Sequence, residues 1–509
     1  MKRKHLGLVL GVAGATVGVG VGLLVGVKNL SRTPARAPFV ARLDPNGPYV
    51  LASSAGAARQ YGEALAEARQ LHPDAIELVF PTADLRSVAE AFQRLQPRYA
   101  LVLLLPEELD VNFAWRWLRL TTAVDDDPFV DVRTGFITGA TPSAAANFLH
   151  RIRAAVELRT PLSGLAVDDL GPNSMAPKNA FLQNSGNFMV PVLGERVGLS
   201  TISHGVEAFN GDRLASLNGA ALVHLGGHGY PDRIVDGLSG ALTPNLKLSP
   251  CVIFNGACYT GVTGRWFEMG ATVSEQRIAP ERSFSLGVIA NNVLGYLAAL
   301  HPDHGLPVYQ ELEFLATDGA SLGEVMKHTH DGVILAAGGR LPSFESFTNG
   351  MPNPQWTPAE VMLQGTASRV LFGDPALVLT PSFTAPPFVV SLREAGPDAL
   401  RVTAVLSNVN LKSTFTDTYH ADLASDPNLF NDRALIRCQL PDGWETVQNV
   451  EVIHVTGSGK PLKSRLVGFG VEKEGSRRIL QVQVDVPSTG YQQSQLRTAG
   501  ASVELKIQR

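Results

Sequence analysis

A histidine and a cysteine stand in two short segments of similar design. Residues 221–229 are an apolar run that ends in two glycines, His228 and Gly229. Residues 251–261 are an apolar run followed by Asn-Gly-Ala and then Cys258. A thiol that a nearby imidazole deprotonates can attack a carbonyl carbon, and the imidazole can pass the proton to the leaving group. The pair therefore predicts acyl chemistry, with His228 as base and acid and Cys258 as nucleophile.

Small residues around the pair suit the same chemistry. The main-chain N–H groups of Gly229 and Cys258 could donate to the negative oxygen that forms during attack, because glycine lets a substrate approach closely. Each reactive residue taken alone is more often structural, since an isolated cysteine in an apolar setting usually packs in the core. Their joint occurrence in two matching segments favours the catalytic interpretation.

The two segments can meet only if both end strands of one sheet, because α/β sites form from loops at the carboxyl ends of strands. Apolar, strand-like runs alternate with helical patterns from residue 49 onward. Strands are expected at 76–80, 100–105, 129–138, 165–167, 221–225, 252–254 and 369–372. Helices are expected at 57–71, 85–95, 141–156, 306–317 and 321–337. Continuous apolar strands between helices indicate an α/β fold with a parallel sheet covered on both faces.

The texture of the sequence changes after a proline-rich linker at 381–388. Residues 480–486 and 503–507 alternate apolar and polar side chains, which is typical of half-buried antiparallel strands. The region 389–509 has the size of an immunoglobulin-like β-sandwich, although Cys438 alone cannot form the disulfide between its sheets.

The N-terminus reads as a targeting segment. Residues 6–27 are apolar and uncharged behind a basic start, and they are long enough to span a bilayer as a helix. The apolar part of a cleaved signal is usually only about 7–15 residues. We expect residues 1–37 to be a signal anchor or signal peptide, and favour the anchor. The protein is then expected in the cell envelope or secreted, with residues 6–27 as its membrane contact if they are retained.

The remaining chain is expected to form two α/β subdomains before the linker and the β-sandwich. An N-terminal subdomain at 38–150 precedes a catalytic subdomain at 151–380. Lys and Arg number 43 against 47 Asp and Glu, so no basic excess points to nucleic acid as a partner. The cysteines are Cys251, Cys258 and Cys438, too few for a disulfide framework. Cys251 and Cys438 are expected to be packed and inert.

The two reactive segments resemble the His-Gly and Ala-Cys motifs of the caspase–gingipain group of cysteine peptidases, and are most similar to the gingipain-like family. Phe372-Gly-Asp-Pro-Ala-Leu resembles the end of that family's catalytic domain, and 134–156 resembles the part before its active half. The resemblance covers about 75–380. It implies a caspase/gingipain-like sandwich and a cysteine endopeptidase that acts on polypeptides without a cofactor.

Acidic residues could complete the site. Asp168 and Asp169 end a strand-like run and could orient His228 or, as acidic residues do in the family, line a pocket for a basic side chain. A solvated pair or a helix cap is an equally open interpretation. Residues 125–127 are three aspartates that could bind calcium, but a solvated turn is the simpler expectation, and we expect no metal.

Two rival functions remain. An esterase of the α/β-hydrolase type would need a Gly-x-Ser-x-Gly turn or its cysteine version before the histidine, and neither occurs before His228. The other rival is a catalytically inactive, envelope-anchored binding or scaffold protein whose function resides in 389–509. The sequence leaves the oligomeric state open.

Overall fold

The structure is a computed structural model in which most of the chain from residue 39 onward is described, as part of one compact unit. The described residues are 39–159, 161–162, 165–169, 201–203, 222–226, 229–234, 240, 248, 250–268, 274–303, 311, 320–341, 358–380, 388–406, 431–457, 459–487 and 501–509. The targeting segment and, apart from Glu311, the helix expected at 306–317 lie outside them.

In the described part of the chain, helices and strands occur together up to residue 380, and the elements after it are strands. The helices are α1 (Ala55–Gln60), α2 (Gly62–Leu71), α3 (Arg86–Leu95), α4 (Val111–Thr121), α5 (Pro142–Leu158), α6 (Phe284–Ile289), α7 (Leu322–Ala336) and α8 (Pro358–Ala367). The strands up to residue 299 are β1 (Phe39–Leu43), β2 (Tyr49–Ser54), β3 (Ile76–Phe80), β4 (Tyr99–Leu103), β5 (Arg133–Ile137), β6 (Pro161–Leu162), β7 (Leu165–Asp169), β8 (Thr201–Ser203), β9 (Leu222–Gly226), β10 (Gly229–Tyr230), β11 (Arg233–Ile234), β12 (Cys251–Asn255), β13 (Arg265–Glu268), β14 (Ser274–Arg277) and β15 (Val293–Ala299). The later strands are β16 (Arg369–Gly373), β17 (Leu377–Thr380), β18 (Phe388–Gly396), β19 (Ala399–Leu406), β20 (Asn431–Gln439), β21 (Asn449–Gly457), β22 (Lys460–Pro461), β23 (Arg465–Glu474), β24 (Arg477–Pro487) and β25 (Ser502–Gln508).

The central sheet of the described chain has the strand order β3-β2-β4-β5-β16-β15-β12-β9-β7-β8. The strands from β3 to β16 run parallel to one another, as do those from β15 to β8. Between these halves, β15 and β16 pair antiparallel, with Gly295 opposite Gly373. The expected α/β fold is confirmed, but the expectation of a wholly parallel sheet is wrong at its centre. The missed strand β15 is the neighbour that reverses the direction.

Two of the helices begin at a residue whose side chain caps them. The Ser54 hydroxyl accepts a hydrogen bond from the Ala57 N–H at 2.9 Å, and Thr141 caps α5 in the same way through Ala144 at 3.1 Å. Such caps satisfy N–H groups that have no partner within the helix. The single helix expected at 57–71 is instead α1 and α2, which meet at Tyr61.

Strand β3 lies at the edge of the central sheet rather than in its interior. Ile76 is 41% and Val79 is 63% exposed, so the expected strand is present but the expected burial is wrong. An edge strand has a neighbour on one side only, and an apolar run alone does not distinguish it from a central strand.

An aromatic cluster fills the space between this half of the sheet and its helices α3 and α4. Trp117 lies 5.5–5.8 Å, measured between ring centroids, from Phe80, Phe92 and Phe113, and 6.4 Å from Phe136. Burying each of these side chains contributes roughly 1.5–3 kcal/mol. This core fixes the half of the sheet that does not carry the candidate site.

The described elements after residue 388 are strands, as expected, and they form two antiparallel sheets. In β25 the apolar residues Val503, Leu505 and Ile507 are fully buried while their polar neighbours are partly exposed, which confirms the half-buried pattern. In β24 that pattern is wrong, because Gln481 and Asp485 are fully buried as well. Helix α7 packs on β23 and β24, and Gln481 hydrogen-bonds to Asp331 of that helix.

Among the described helices, none is both long and apolar enough to cross a membrane. Residues 6–27 lie outside the described part of the chain, so the anchor stays a prediction. The subdomain boundaries, the linker at 381–388 and the immunoglobulin-like topology of 389–509 stay predictions as well.

Candidate active site

Strands β9 and β12, which lead into the two reactive segments, are adjacent and parallel in the central sheet. Leu225 lies opposite Asn255 in the register, and the Gly256 N–H donates to the Leu225 carbonyl at 2.9 Å. The carboxyl ends of both strands therefore meet at the same sheet edge, as the sequence argument required. His228 itself lies outside the described residues, so its role stays a prediction.

The residue that follows His228 touches the residue proposed as nucleophile. A side-chain carbon added to Gly229 would lie 2.2 Å from the Cys258 carbonyl oxygen and 2.9 Å from its nitrogen. No side chain fits in that space, so only glycine allows the two main chains to approach this closely. The contact joins the predicted oxyanion donors, Gly229 and Cys258, in one place.

The Cys258 side chain is partly exposed and is bound to the segment that follows β15. Its Sγ donates to the Asp303 carbonyl at 3.0 Å and accepts from the Asp303 N–H at 3.2 Å. Burial raises the pKa of the Cys258 thiol to about 12; the Asp303 main chain opposes this rise and the negative Asp303 side chain adds to it. In this arrangement the thiol is neutral at pH 7, so attack requires a base.

The turn between β12 and Cys258 is held by side-chain hydrogen bonds. The Asn255 side chain accepts from the Ala257 N–H at 2.8 Å and donates to the Tyr296 hydroxyl at 3.0 Å. Tyr296 donates in turn to the Thr260 carbonyl at 2.8 Å. These bonds fix main chain on both sides of Cys258, which is what a positioned nucleophile needs.

An unusual backbone conformation directly follows Cys258. Tyr259 has φ +60°, a region that residues other than glycine rarely adopt. Its ring packs edge-on against Trp266 at 5.0 Å and against His301 at 6.0 Å. Sequence reasoning did not connect these aromatic residues with the site, because they come from separate loops.

The acidic pair reaches the same sheet edge through β7, the other neighbour of β9. Asp168 lies opposite Leu225, and Asp169 lies opposite Gly226 in the register. Their main chain therefore ends beside the strand that precedes His228. The side chains of Asp168 and Asp169 are outside the described residues, so their roles as orienting or specificity groups stay predictions.

The other two cysteines are buried in the two different parts of the protein. Cys251 begins β12 and is fully buried, while Cys438 in β20 is 5% exposed. Burial raises the pKa of each thiol to about 12. Neutral, enclosed thiols react slowly, which fits the expectation that both are inert.

The Gly-Asp-Pro segment after β16 has a structural set of contacts. Asp374 is fully buried and accepts hydrogen bonds from the Tyr49 hydroxyl at 3.0 Å and the Ala376 N–H at 2.8 Å. Its other carboxylate oxygen lies 2.5 Å from His72 Nε2. The segment thus ties β16 to β2 and to the end of α2.

The aspartates at 125–127 do not form a simple solvated turn. Asp127 is only 8% exposed, and its carboxylate accepts from the Phe129 N–H at 2.8 Å and the Lys473 N–H at 2.6 Å. Carboxylate oxygens of Asp125, Asp127 and Asp131 lie within 4.8 Å of one another, a spacing that could hold a cation. The expectation that the protein needs no metal stays a prediction.

Comparisons with known proteins yield distant structural likenesses. No known sequence family matches the chain, and no curated protein is similar to it in sequence. It is similar to the Arg-specific cysteine proteinase gingipain R, with 11% identity over 87% of this chain and 93% of that chain and a TM-score of 0.43. A structure described as a protease gives 12% identity over 86% and 97%, with a TM-score of 0.45. A chain of the Saccharomyces cerevisiae separase–securin complex gives 9% identity over 54% and 16%, with a TM-score of 0.31.

Proposed function

We propose that this protein is a cysteine endopeptidase of the gingipain-like type, in which Cys258 is the nucleophile and His228 its acid–base partner. The proposal rests on residue types and strand geometry. The observation that carries it is the contact between Gly229, the residue after His228, and the main chain of Cys258. Two loops that each contain one reactive residue touch at the carboxyl ends of adjacent parallel strands.

The reaction would proceed through an acyl-enzyme. His228 takes the thiol proton, and Cys258 Sγ attacks the carbonyl carbon of the scissile peptide bond. The Gly229 and Cys258 N–H groups donate to the oxygen that becomes negative. His228 then protonates the departing amine as the C–N bond breaks. In the second half, His228 takes a proton from water, the resulting hydroxide attacks the thioester, and the thiol leaves with its proton restored.

One observation favours the rival interpretation, in which the peptidase-like domain is inactive and the protein binds or organises partners at the envelope. The Cys258 thiol is bound on both sides by the Asp303 main chain, and burial raises its pKa to about 12. A catalytic role requires His228 to withdraw the proton in spite of these bonds. Direct measurement of thiol reactivity therefore separates the two functions.

The decisive experiment treats the full chain with a set of peptides that vary at the residue before the scissile bond. Wild-type protein is expected to cleave at least one of them, and Cys258→Ala is expected to cleave none while keeping its melting temperature. A peptide carrying a chloromethyl ketone should alkylate wild-type protein at Cys258, as located by mass spectrometry. Cleavage by Cys258→Ala at the wild-type rate would disprove the nucleophile.

The matched control is Cys251→Ala, since Cys251 begins β12, the strand that leads into the turn with Cys258. This variant is expected to keep full cleavage activity per folded molecule. His228→Ala should reduce the rate without loss of the folded state. If His228→Ala instead unfolds the protein, the histidine is structural, and the rival function gains support.

Specificity and location are further parts of this proposal. If Asp168 or Asp169 lines a pocket, peptides with a basic residue at the cleavage site should turn over fastest, and the Asn variants should lose that preference. Equal turnover of peptides with basic, acidic and apolar residues at the cleavage site would contradict the pocket.

An anchored protein should remain with membranes after an alkaline wash, whereas release by the wash would indicate that residues 6–27 do not anchor it.

A further inference from the structure

A fully buried arginine joins the two chain segments that meet at the Cys258 thiol. Arg369 is the first residue of β16 and is 0% exposed. Its Nε and Nη2 donate to the two carboxylate oxygens of Glu311, each at 2.6 Å. Its Nη1 donates to the Asp303 carboxylate and, at 2.8 Å, to the Asn255 carbonyl. We call Arg369, Asp303 and Glu311 the Arg369 cluster.

The two residues that share Nη1, Asn255 and Asp303, also set the position of the Cys258 thiol. Asn255 is the last residue of β12 and supports the turn into Cys258 through the Ala257 N–H. Asp303 binds the Cys258 Sγ through both its carbonyl and its N–H. A single planar guanidinium therefore fixes the strand that carries the sulfur relative to the main chain that binds it. Guanidinium suits this task because its donors have a rigid geometry.

The Asp303 carboxylate ties the arginine to the chemistry of the thiol. One guanidinium binds the carboxylates of Asp303 and Glu311, and burial raises the pKa of Glu311 while Arg369 opposes that rise. The Asp303 carboxylate disfavours a negative charge on Cys258, and the positive charge of Arg369 lies directly against that carboxylate. Without Arg369, the Asp303 carboxylate would lose this positive charge, and the Asp303 N–H that donates to the sulfur would lose its support.

We propose that Arg369 is a positioning residue for the candidate nucleophile. It holds Asp303 by its carboxylate and the end of β12 by the Asn255 carbonyl, so that the Cys258 thiol can be ionised and oriented. This inference rests on the proposed role of Cys258. Arg369 does not touch the sulfur, so it acts through Asp303 and Asn255. The Cys251 thiol, at the other end of β12, should not depend on it.

The test measures the alkylation rate of Cys258 by iodoacetamide from pH 6 to 10, with the modified peptide quantified by mass spectrometry. In Arg369→Met the rate profile is expected to move to higher pH by about one unit, with about tenfold slower alkylation at pH 7.5, because the thiolate is the reacting form. Arg369→Lys keeps the positive charge but cannot bridge both groups, so a smaller shift in the same direction is expected. If Arg369→Met does not fold, Arg369→Lys gives the result.

The matched control is Lys327→Met, which removes another fully buried cation, paired with Asp331 and Glu472. It is expected to lower the melting temperature while leaving the Cys258 profile unchanged. A wild-type profile in the Arg369 variants would overturn the inference, as would an equal shift in Lys327→Met. If wild-type protein cleaves peptides but the Cys258 alkylation profile is unchanged in the Arg369 variants, only this inference is overturned. If the profile shifts in the Arg369 variants but wild-type protein cleaves no peptide, the proposed function is overturned instead.

Discussion

Two buried clusters of charge in this protein use similar side chains for different ends. The Arg369 cluster lies beside the Cys258 loop, where Arg369 binds the Asn255 carbonyl and the Asp303 carboxylate. The second cluster joins helix α7 to the C-terminal sheet and consists of Lys327, Asp331, Glu472 and Arg437; we call it the Lys327 cluster. Lys327 Nζ lies 2.6 Å from Asp331 and 2.8 Å from Glu472, and Arg437 Nη2 lies 2.7 Å from Glu472.

The difference between the clusters lies in what they hold. The Lys327 cluster connects helix α7 to the C-terminal sheet, and its Arg437 also binds Glu474 at 3.2 Å. The Arg369 cluster holds the Asn255 carbonyl and Asp303, the residue whose main chain binds the Cys258 thiol. Paired charges between two elements suit a structural role, because buried charges cost free energy unless they are paired. A charge cluster beside a reactive group can influence the ionisation of that group, and the following predictions test this division.

The largest effect on stability is expected when the Lys327 cluster loses the carboxylate that Lys327 and Arg437 share. Glu472→Ala leaves Lys327 and Arg437 with one partner fewer in a buried setting, which should lower the free energy of unfolding by about 3–5 kcal/mol. Chemical denaturation measures this change. The dependence of Cys258 alkylation on pH should be unchanged in the folded variant. A change in Cys258 alkylation as large as that of Arg369→Met would show that the two clusters do not act separately.

The control for this variant is Glu504→Ala in the same all-β part. Glu504 pairs with Arg401 at 3.1 Å, but their side chains are 27% and 52% exposed. Exposed pairs contribute about 0–1 kcal/mol, so this variant should be nearly neutral. Equal losses in the two variants would mean that burial does not set the cost of breaking these pairs.

Local patterns predicted much of the framework that these clusters occupy. The strands that flank the site, β9 and β12, are short apolar runs, and the caps Ser54 and Thr141 depend on residues close by in sequence. The clusters could not be predicted in this way, because Arg369 meets Asp303 and Glu311 only after the chain has folded. One signal was available: a charged residue at the start of the apolar run 369–372 needs a buried partner. The spacing gives no indication which partner that is.

The polar face of β24 illustrates the same limit. The alternation of apolar and polar residues in 480–486 predicts a solvent-exposed polar face. Gln481 and Asp485 are nevertheless fully buried, because α7 covers that side of the sheet. A period of two identifies the two faces of a strand but not what lies against each. The candidate site is similar: sequence proposed Cys258, whereas Asp303, which binds the thiol, lies in a loop that only the fold brings near.

A smaller effect is expected at a hydrogen bond that links α7 to the Arg369 cluster. Burial lowers the pKa of His330 to about 4, so the neutral ring donates through Nε2 to the Arg369 carbonyl at 3.2 Å. His330→Gln should cost about 1 kcal/mol and leave Cys258 alkylation within about twofold of wild type. A tenfold change would make the link part of the positioning device.

The same variant has a defined pH signature. An unfolded histidine takes up a proton near pH 6.5, whereas folded His330 does so only near pH 4. Wild-type stability contributed by this group is therefore lost as the pH falls from about 6.5 to 4. In His330→Gln the loss of stability over this window should be smaller, as measured by melting temperature against pH. An unchanged acid slope would show that His330 is not protonated differently in the two states.

An effect of similar size and opposite direction is expected at Asp131, a carboxyl close enough to the Lys327 cluster to sense the charge of Lys327. Burial, followed by the charges of Asp125 and Asp127, raises the pKa of Asp131 to about 7. An unfolded aspartate loses its proton near pH 4, so stability contributed by this group falls as the pH rises from about 4 to 7. Asp131→Asn can still accept the Val124 N–H that donates to this side chain at 3.2 Å. It should raise the free energy of unfolding at pH 8 by about 1 kcal/mol, a value reduced for solvent screening, and change nothing at pH 4.

The control for this variant is Asp126→Asn, because the Asp126 side chain is 77% exposed, and it should be neutral at both pH values. If Asp131→Asn destabilises the protein at pH 8, Lys327, whose positive charge lowers the pKa of Asp131, needs the Asp131 carboxylate in addition to those of Asp331 and Glu472.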